Sequence, residues 1–207
     1  MKKLLTVVTL SALIATASLA FNTLAQVNIT IDTAKVLASN VSHKYGMNLN
    51  AGVDSDLNRP SGSVSLIEAL KKTGAKHVRY PGGKKSLYFS WASTPFTDAS
   101  TNYWLPGSYA NNAKNTLNFD DFMSTANQVG AQAHINVAYN PTKGLNEQLA
   151  AKWVKYANIT NNYNVKYWEI GNEMWKKELG FNVSSLCAVV NSYSTAMKAE
   201  DPRILIG

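Results

Sequence analysis

An amide and a carboxylate follow a short apolar stretch late in the chain. Residues 166–170 are bulky and favour β structure, so they predict a buried strand, and Gly171, Asn172 and Glu173 then form a turn. In an α/β barrel, catalytic groups lie on the loops at the carboxyl ends of parallel strands. A Glu held there can protonate a leaving group, and the Asn beside it can hydrogen-bond a substrate hydroxyl. The alternative is a surface Glu that caps the next helix.

Some reactions, glycoside hydrolysis among them, use two carboxyl groups on either side of the bond that breaks, about 5–5.5 Å apart when the configuration is retained. Glu169 is close to Glu173 in sequence, but four residues of strand separate them by roughly 13 Å, at about 3.3 Å per residue. The two therefore cannot form the catalytic pair. We expect Glu169 in the wall of the sheet, where a buried carboxylate needs a partner such as Arg79 or Lys166.

Strands and helices alternate from the beginning of the predicted domain to its end. Strands are predicted at 45–50, 76–80, 133–139, 166–170 and from 203 onwards, and helices at 64–73, 119–128, 146–158 and 184–199. Ser184 or Ser185 is expected to cap the last helix. This alternation predicts a parallel sheet with helical crossovers, either an open doubly wound sheet or a closed barrel.

The first strand distinguishes these two architectures. No glycine-rich phosphate fingerprint follows it, which disfavours the nucleotide-binding form of the open sheet. The sequence therefore predicts an α/β protein of the (β/α)8 TIM-barrel class, with about the first four and a half strand–helix units present.

A long aromatic loop, residues 84–118, follows the second predicted strand. Loops of this length are usually functional or disordered, and its many aromatic residues argue against disorder. Trp91, Trp104 and Trp175, which lies beyond this loop, can stack on sugar rings, with packing in the core as the alternative. For Trp104 and Trp175 the two interpretations stay open.

Composition and the N-terminus limit the classes of function. Residues 1–25 resemble a bacterial secretory signal, with Lys2 and Lys3 before an apolar run and Ala20 or Ala25 as the cleavage site. Thr and Ser residues interrupt the run, which disfavours a membrane anchor and predicts a secreted or periplasmic protein. Residues 26–43 are then a lead-in, and residues 44–207 form the N-terminal half of the predicted barrel domain.

The remaining charged and sulfur-containing residues point to few partners. The net charge is +7, but the lysines are scattered and no basic run is interleaved with aromatics, so no nucleic-acid partner is predicted. Cys187 is the one cysteine, which excludes an intrachain disulfide and a Cys-based metal site. It lies in an apolar helical run, so we expect it to be buried. His77 and His134 are expected to be satisfied by hydrogen bonds rather than to bind a metal.

Two stretches of the chain resemble one family of enzymes. Residues 78–83, Val-Arg-Tyr-Pro-Gly-Gly, with Tyr88 and Trp91 downstream, resemble the second-strand signature of α-L-arabinofuranosidases. Residues 167–173 resemble the fourth-strand signature of the same group, in the clan of retaining glycosidases built on (β/α)8 barrels. The two motifs occur in the right order, and the similarity covers about residues 45–207.

This resemblance implies roles for several residues. Glu173 is the general acid/base, Asn172 binds the hydroxyl next to the anomeric carbon, and Arg79 supports the floor of the site. Arabinofuranosidases usually carry a Glu at the end of the first strand, where this chain has Asn48 and Asn50. Xylosides, glucuronides and β-glucans therefore remain open as substrates beside arabinofuranosides. No cofactor is implied, because protonation and nucleophilic displacement need none.

The position of the nucleophile leads to a further expectation. In relatives it is a Glu that ends the seventh strand, and the sequence given extends only into a fifth. Asp54 and Asp56, in the loop after the first strand, could serve only in an inverting arrangement. We therefore expect a truncated, inactive N-terminal half of a barrel that can pair with a second half barrel. The alternatives are a non-catalytic carbohydrate-binding half barrel and a degraded gene product.

Overall fold

The computed structural model describes residues 45–93, 97, 103–104, 115–176 and 180–207, together with 30, 32, 34 and 35. The chain divides into two units, Met1–Ser39 and Asn40–Gly207. In the first unit, Asp32 accepts hydrogen bonds from the backbone N–H of Ala34 at 3.0 Å and of Lys35 at 3.3 Å. The predicted signal, 1–25, lies outside the described residues, as does most of the predicted lead-in, 26–43. Everything below concerns the second unit.

The second unit is built on a five-stranded parallel sheet. The strands of the described residues are β1 Gly46–Asn48, β2 His77–Tyr80, β3 Phe89–Ser90, β4 Tyr103–Trp104, β5 Gln132–Val137, β6 Tyr167–Ile170 and β7 Leu205–Ile206. The sheet has the order β1-β2-β5-β6-β7, and every neighbouring pair is parallel. Strands β3 and β4 form a short antiparallel pair inside the aromatic loop. Sequential parallel order is the arrangement of one side of a (β/α)8 barrel.

Helices connect the strands of this sheet, as the alternation predicted. They are α1 Leu66–Thr73, α2 Phe119–Val129, α3 Glu147–Val154 and α4 Val183–Glu200, and a π-helix, Lys155–Thr160, continues α3. Short 3-10 helices lie at Asp56–Asn58, Lys84–Tyr88 and Pro141–Lys143. Within the part of the chain that the structure describes, no helix is long and apolar enough to cross a membrane.

Side-chain caps determine where the helices begin. Ser65, Asn118 and Asn146 each accept a hydrogen bond from a backbone N–H of the first turn that follows. The prediction of Ser184 or Ser185 as the cap of the last helix was wrong. Asn182 is the cap, and Ser185 completes a capping box by accepting the backbone N–H of Asn182. Ser185 is therefore the third residue after the cap and not the cap itself.

The two faces of the sheet differ in character because strand side chains alternate. On one face, Val78, Tyr80, Ile135 and Trp168 are buried against the helices. The rings of Tyr80 and Phe122 in α2, for example, stack with centroids 4.5 Å apart. The opposite face carries polar and aromatic side chains that are partly exposed, namely His77, Arg79, His134, Tyr167 and Glu169. In a closed barrel this second face is the interior, and we call it the inner face.

Trp91 belongs to the core. It is 1% exposed, and its ring stacks on Trp153 with centroids 6.1 Å apart. Of the two interpretations that the sequence allowed for Trp91, core packing is therefore the one that the structure supports. The aromatic loop is anchored to the body of the domain at this residue, because the Trp91 indole N–H also donates to the Leu149 carbonyl at 3.4 Å.

The two histidines of the inner face bind each other. His77 Nδ1 and His134 Nε2 are 2.8 Å apart, and Tyr167 stacks on His134 with ring centroids 4.5 Å apart. Burial lowers the pKa of His134, and the neighbouring His77 adds to that shift. The expectation that hydrogen bonds satisfy these histidines is confirmed for this pair.

Cys187 is exposed, so the prediction of a buried cysteine was wrong. Of the residues of α4, only Tyr193 and Met197 are buried. Cys187 therefore faces away from the core, whereas Val189 and Val190 in the same run pack against it. The apolar composition of the run did not indicate which of its residues the core would cover.

A second polar cluster lies at the opposite end of the sheet from the turn that carries Glu173. Asn158 is buried; its amide donates to the Val165 carbonyl and to Asp201, both at 2.9 Å, and accepts the Val165 N–H at 2.7 Å. Hydrogen bonds from Arg203, supported by Asn158, lower the pKa of Asp201 to about 2. This cluster fixes the segment that leads into β6.

Candidate active site

Arg79 is the centre of the polar network at the carboxyl ends of the strands. Its Nε donates to Glu169, its Nη1 donates to Asn48 Oδ1 at 3.2 Å and to the Gly82 carbonyl at 2.6 Å, and its Nη2 donates to Asn172 Oδ1 at 3.2 Å. The guanidinium thus binds groups on or directly after β1, β2 and β6. A planar group with several donors in fixed directions can hold these elements in one geometry.

Glu169 lies on the inner face and pairs with Arg79. The sequence had proposed Arg79 or Lys166 as its partner, and the structure selects Arg79. Lys166 instead places its ammonium 5.6 Å from the centroid of the Tyr167 ring. With its charge compensated within the sheet, Glu169 is placed as a structural carboxylate.

Asn172 is oriented by its contact with Arg79. Because Arg79 can only donate, the amide oxygen of Asn172 must face it, and the amide nitrogen points elsewhere. Asn172 therefore presents a hydrogen-bond donor away from the network. Gly82, whose carbonyl Arg79 also binds, has φ of 134°, a conformation that favours glycine, and a side chain there would meet Asn50.

Glu173 stands on a strained turn directly after β6. Gly171 has φ of 68°, and Met174 occupies the space that a Cβ atom on Gly171 would need. Glu173 itself has φ of 53°, a left-handed conformation that is uncommon for a residue other than glycine and asparagine. Its carboxylate is 2.7 Å from the ammonium of Lys176, and its side chain is 38% exposed. Such strain is frequent at functional sites.

The loop after β1 binds its own polar groups. Asn50 accepts the Gly52 N–H at 3.0 Å, and the Asn50 N–H donates to Asp54 at 2.6 Å. Asp56 accepts the Leu66 N–H at 2.6 Å and pairs with Arg59 at 3.0 Å. Of the two asparagines predicted for the site, the structure brings Asn48 to Arg79, whereas Asn50 shapes this loop.

The two tryptophans proposed for sugar binding differ in what the structure describes. Trp175 follows Glu173 by two positions and is 76% exposed, so it does not belong to the core. Trp104 is part of β4, and its side chain lies outside the described structure. Trp175 is therefore available to contact a substrate beside Glu173.

Asn136 is the member of the network that sequence analysis missed. It is fully buried in β5, and its amide nitrogen donates to Glu169 Oε2 at 3.3 Å and to the Gly171 carbonyl. A signal was present, because an asparagine stands in the middle of an apolar strand at the same alternation as His134. A polar side chain at such a position needs a partner inside the protein.

Comparison with curated proteins relates the chain to one group of enzymes. It is 28% identical over 125 residues to a probable α-L-arabinofuranosidase C of Aspergillus clavatus and 29% identical to that of Aspergillus flavus. It is 27% identical to the α-L-arabinofuranosidase C of Emericella nidulans. Each alignment covers 53% of this chain and 24% of the relative, so the matched region spans about a quarter of those proteins. No protein-family model matches the chain.

Solved structures agree on the fold. The α-L-arabinofuranosidase of Thermotoga maritima, in complex with arabinose, matches with a TM-score of 0.59 and 21% identity, over 78% of this chain and 39% of that one. A family 51 α-L-arabinofuranosidase of Bifidobacterium longum matches with a TM-score of 0.60 and 18% identity, over 80% and 37%. The prediction of an α/β chain of the (β/α)8 class is confirmed. In both sequence and fold, this chain is similar to part of an α-L-arabinofuranosidase, as its two motifs predicted.

Proposed function

We propose that this chain provides the acid/base side of the active site of a retaining, α-L-arabinofuranosidase-like glycoside hydrolase. The observation that carries the proposal is the strained turn after β6, where Glu173 stands at a left-handed φ of 53°. The neighbouring Asn172 is oriented there by Arg79. A carboxyl group and an amide donor held together at the end of a barrel strand can protonate a glycosidic oxygen and bind an adjacent hydroxyl.

In this mechanism Glu173 acts twice. Its carboxyl group first gives a proton to the glycosidic oxygen while a second carboxylate attacks the anomeric carbon, and the sugar becomes bound to the enzyme. The resulting Glu173 carboxylate then accepts a proton from the water that releases the sugar. The first step requires Glu173 to turn from Lys176 to the glycosidic oxygen, a change that its partly exposed side chain allows.

Asn48 bears on the choice of sugar. It occupies the end of the first strand, where arabinofuranosidases usually carry a Glu, and its amide oxygen binds Arg79. An amide can hydrogen-bond a sugar hydroxyl, but it brings no charge to the site. We propose arabinofuranosides as the substrate class, and xylosides, glucuronides and β-glucans are the comparison substrates.

The second carboxylate is not among the described residues of Asn40–Gly207. The carboxylates there other than Glu173 bind elsewhere or lie on first turns of helices: Asp54 and Asp56 in their own loop, Asp120 to Tyr156 and Tyr163, Glu169 to Arg79, Glu200 to Lys155, Asp201 to Arg203, and Glu68, Asp121 and Glu147 in α1, α2 and α3. We therefore propose that the nucleophile comes from another part of the protein or from a second chain.

We expect that residues 26–207 alone neither form a covalent glycosyl-enzyme nor hydrolyse glycosides. The test compares this fragment with the product of the complete coding region on aryl arabinofuranosides, xylosides and glucosides, with size measured by light scattering. Because β1 and β7 are edges of the described sheet, the fragment should self-associate or pair with a second half barrel.

Two outcomes would contradict this part of the account. Turnover by a monomeric fragment that disappears in Glu173→Gln would place the second carboxylate within residues 26–207. Sugar binding without turnover by the product of the complete coding region would favour a carbohydrate-binding protein over an enzyme.

Trp175→Ala should weaken oligosaccharide binding by about 1–3 kcal/mol, the scale of one lost aromatic contact. Because the side chain is 76% exposed, the variant should keep the thermal stability of the parent. The control is Trp91→Phe, which alters a buried ring and should lower stability without changing affinity. Calorimetry with a substrate oligosaccharide measures both, and unchanged affinity in Trp175→Ala would remove this residue from the site.

A further inference from the structure

Asn136 stands in the centre of the sheet, directly beside the carboxylate of the inner face. It pairs with Glu169 in the register of β5 and β6, and it is 0% exposed. Ile135 and Val137, its neighbours in the strand, are buried as well. A fully buried amide at this place is not needed for packing, because an apolar side chain would fill the same position.

The orientation of the Asn136 amide follows from its neighbours. Its nitrogen meets Glu169 Oε2 at 3.3 Å and also the carbonyl oxygen of Gly171. Both neighbours are acceptors, so the donating nitrogen must face them and the reversed amide is excluded. The amide oxygen is left buried without a hydrogen-bond partner within the structure described. The hydrogen bonds of the Asn136 nitrogen thus both go to the carboxyl end of β6, one to the Glu169 side chain and one to the Gly171 carbonyl.

That place is the start of the turn that carries Glu173. Gly171 is held on both sides, because its carbonyl accepts from Asn136 while its N–H donates to the Val137 carbonyl at 2.8 Å. The Gly171 carbonyl belongs to the peptide group that leads into Asn172. Asn136 therefore fixes the plane of the peptide from which the two proposed site residues project.

Asn136 also joins this turn to Arg79 through Glu169. Glu169 accepts from both Arg79 and Asn136, and Arg79 in turn binds Asn172. The hydrogen bonds form a closed circuit from Asn136 through Glu169 and Arg79 to Asn172, and through the backbone back to Gly171. A displacement of any member changes the direction of Asn172 and of the residue that follows it.

We propose that Asn136 is a positioning residue for the acid/base Glu173, acting through the Gly171 carbonyl and through Glu169. The inference rests on the proposed function, and it adds a residue that contacts neither the sugar nor Glu173. This role explains why the residue is an asparagine. An ionised aspartate would place a third acceptor beside the Glu169 carboxylate and the Gly171 carbonyl, and a leucine would have no donor for them. Misplacement of a catalytic group by about 1 Å can lower a rate about 10²-fold.

The test uses Asn136→Ala and Asn136→Asp in the product of the complete coding region. Both should lower kcat about 10²-fold at neutral pH because the proton donor is misaligned, with a smaller rise in KM from the displaced Asn172. The two should differ in their pH dependence. In Asn136→Asp the new carboxyl can donate a hydrogen bond only when protonated, so its kcat relative to the parent should rise as the pH falls. For Asn136→Ala, the ratio of its kcat to that of the parent should not change with pH.

Asn158→Ala is the matched control. Asn158 is a buried amide with three hydrogen bonds at the other end of the sheet. Its removal should lower the thermal midpoint, as removal of Asn136 does, but should leave kcat unchanged at a temperature where the variant is folded. An Asn136→Asp variant whose kcat is low and does not recover as the pH falls, or equal kcat losses for Asn136→Ala and Asn158→Ala, would overturn the proposal.

Amide hydrogen exchange tests the same inference without reference to activity. In Asn136→Ala the amides of Gly171, Asn172 and Glu173 should exchange at least about tenfold faster than in the parent, as expected when local structure opens more readily. The same amides should be unaffected in Asn158→Ala. Unchanged exchange at these three residues in Asn136→Ala would overturn the inference. If exchange rises as expected but Glu173→Gln is as active as the parent, the proposed function fails instead. Asn136→Asp at neutral pH carries both readouts if Asn136→Ala does not fold.

Discussion

Glu173→Gln is expected to lower turnover of glycosides with poor leaving groups by about 10²–10⁴-fold, the usual contribution of a general acid. Gln has nearly the same shape as Glu but cannot give up a proton to the glycosidic oxygen. Activated aryl glycosides need little protonation, so their first step should be affected much less. The measurement is kcat/KM against leaving-group pKa for parent and variant, in the product of the complete coding region. The variant should show a much steeper dependence on leaving-group pKa.

Glu169→Gln provides the control within the same strand. It removes a carboxylate that pairs with Arg79 on the inner face. Because Glu169 also belongs to the circuit that positions the turn, we expect a loss of stability and a lower kcat/KM. The dependence on leaving-group pKa should be less steep than in Glu173→Gln, since Glu173 can still give up its proton. A natural arabino-oligosaccharide that Glu173→Gln hydrolyses as fast as the parent would disprove the assignment of Glu173.

Arg79→Met should have the second large effect. It removes the donors that reach Asn48, Glu169 and Asn172 while keeping much of the side-chain volume. The free energy of unfolding should fall, because hydrogen bonds to charged groups contribute about 1.5–3 kcal/mol to stability. The lower part of that range applies here, since the Glu169 side chain is 44% exposed. Since Asn172 loses its orientation, kcat/KM should fall about 10²-fold. Thermal unfolding and steady-state kinetics measure the two effects separately.

Two further variants separate charge from geometry in this prediction. Arg79→Lys keeps the positive charge but lacks the planar fork of donors, so it should restore part of the stability and little of the activity. Arg203→Met removes the partner of another carboxylate, Asp201, far from the site in the fold. Arg203→Met should lower the stability of the fold and leave the activity unchanged. Full activity in Arg79→Lys would mean that charge, rather than the orientation of Asn172, is what the site requires.

The sheet and most helix limits could be predicted because they depend on local signals. The alternation of predicted strands and helices indicated a parallel sheet. Gly74 and Gly130 end their helices in the left-handed conformation, with φ of 68° and 65°. The cap of α4 was missed because Asn182 and Ser185 act as a pair, and neither residue alone indicates the position of the cap. Cys187 was misplaced because composition does not show which face of a helix the core covers.

The site could be predicted in part for a related reason. Glu173 and Asn172 could be proposed as site residues because they directly follow a predicted strand in an order that resembles a known motif. Asn48 accepts a hydrogen bond from Arg79, and Asn136 donates one to Glu169. Both hydrogen bonds depend on contacts between strands that are far apart in sequence. Those contacts follow from the register of β1, β2, β5 and β6, which sequence periodicity does not define across strands. The left-handed conformation of Glu173 was equally invisible, since it results from the surrounding packing.

The most direct test of the central claim is rescue of Glu173→Ala by azide, in the product of the complete coding region. With an activated aryl arabinofuranoside, the first step proceeds without acid, and the glycosyl-enzyme then lacks the base that water needs. Azide needs no base and can enter the space that the carboxylate leaves. The account predicts that azide accelerates turnover and yields an arabinosyl azide of retained configuration. A parent that is active, with a Glu173→Ala variant that azide does not accelerate or that gives an azide of inverted configuration, would contradict it.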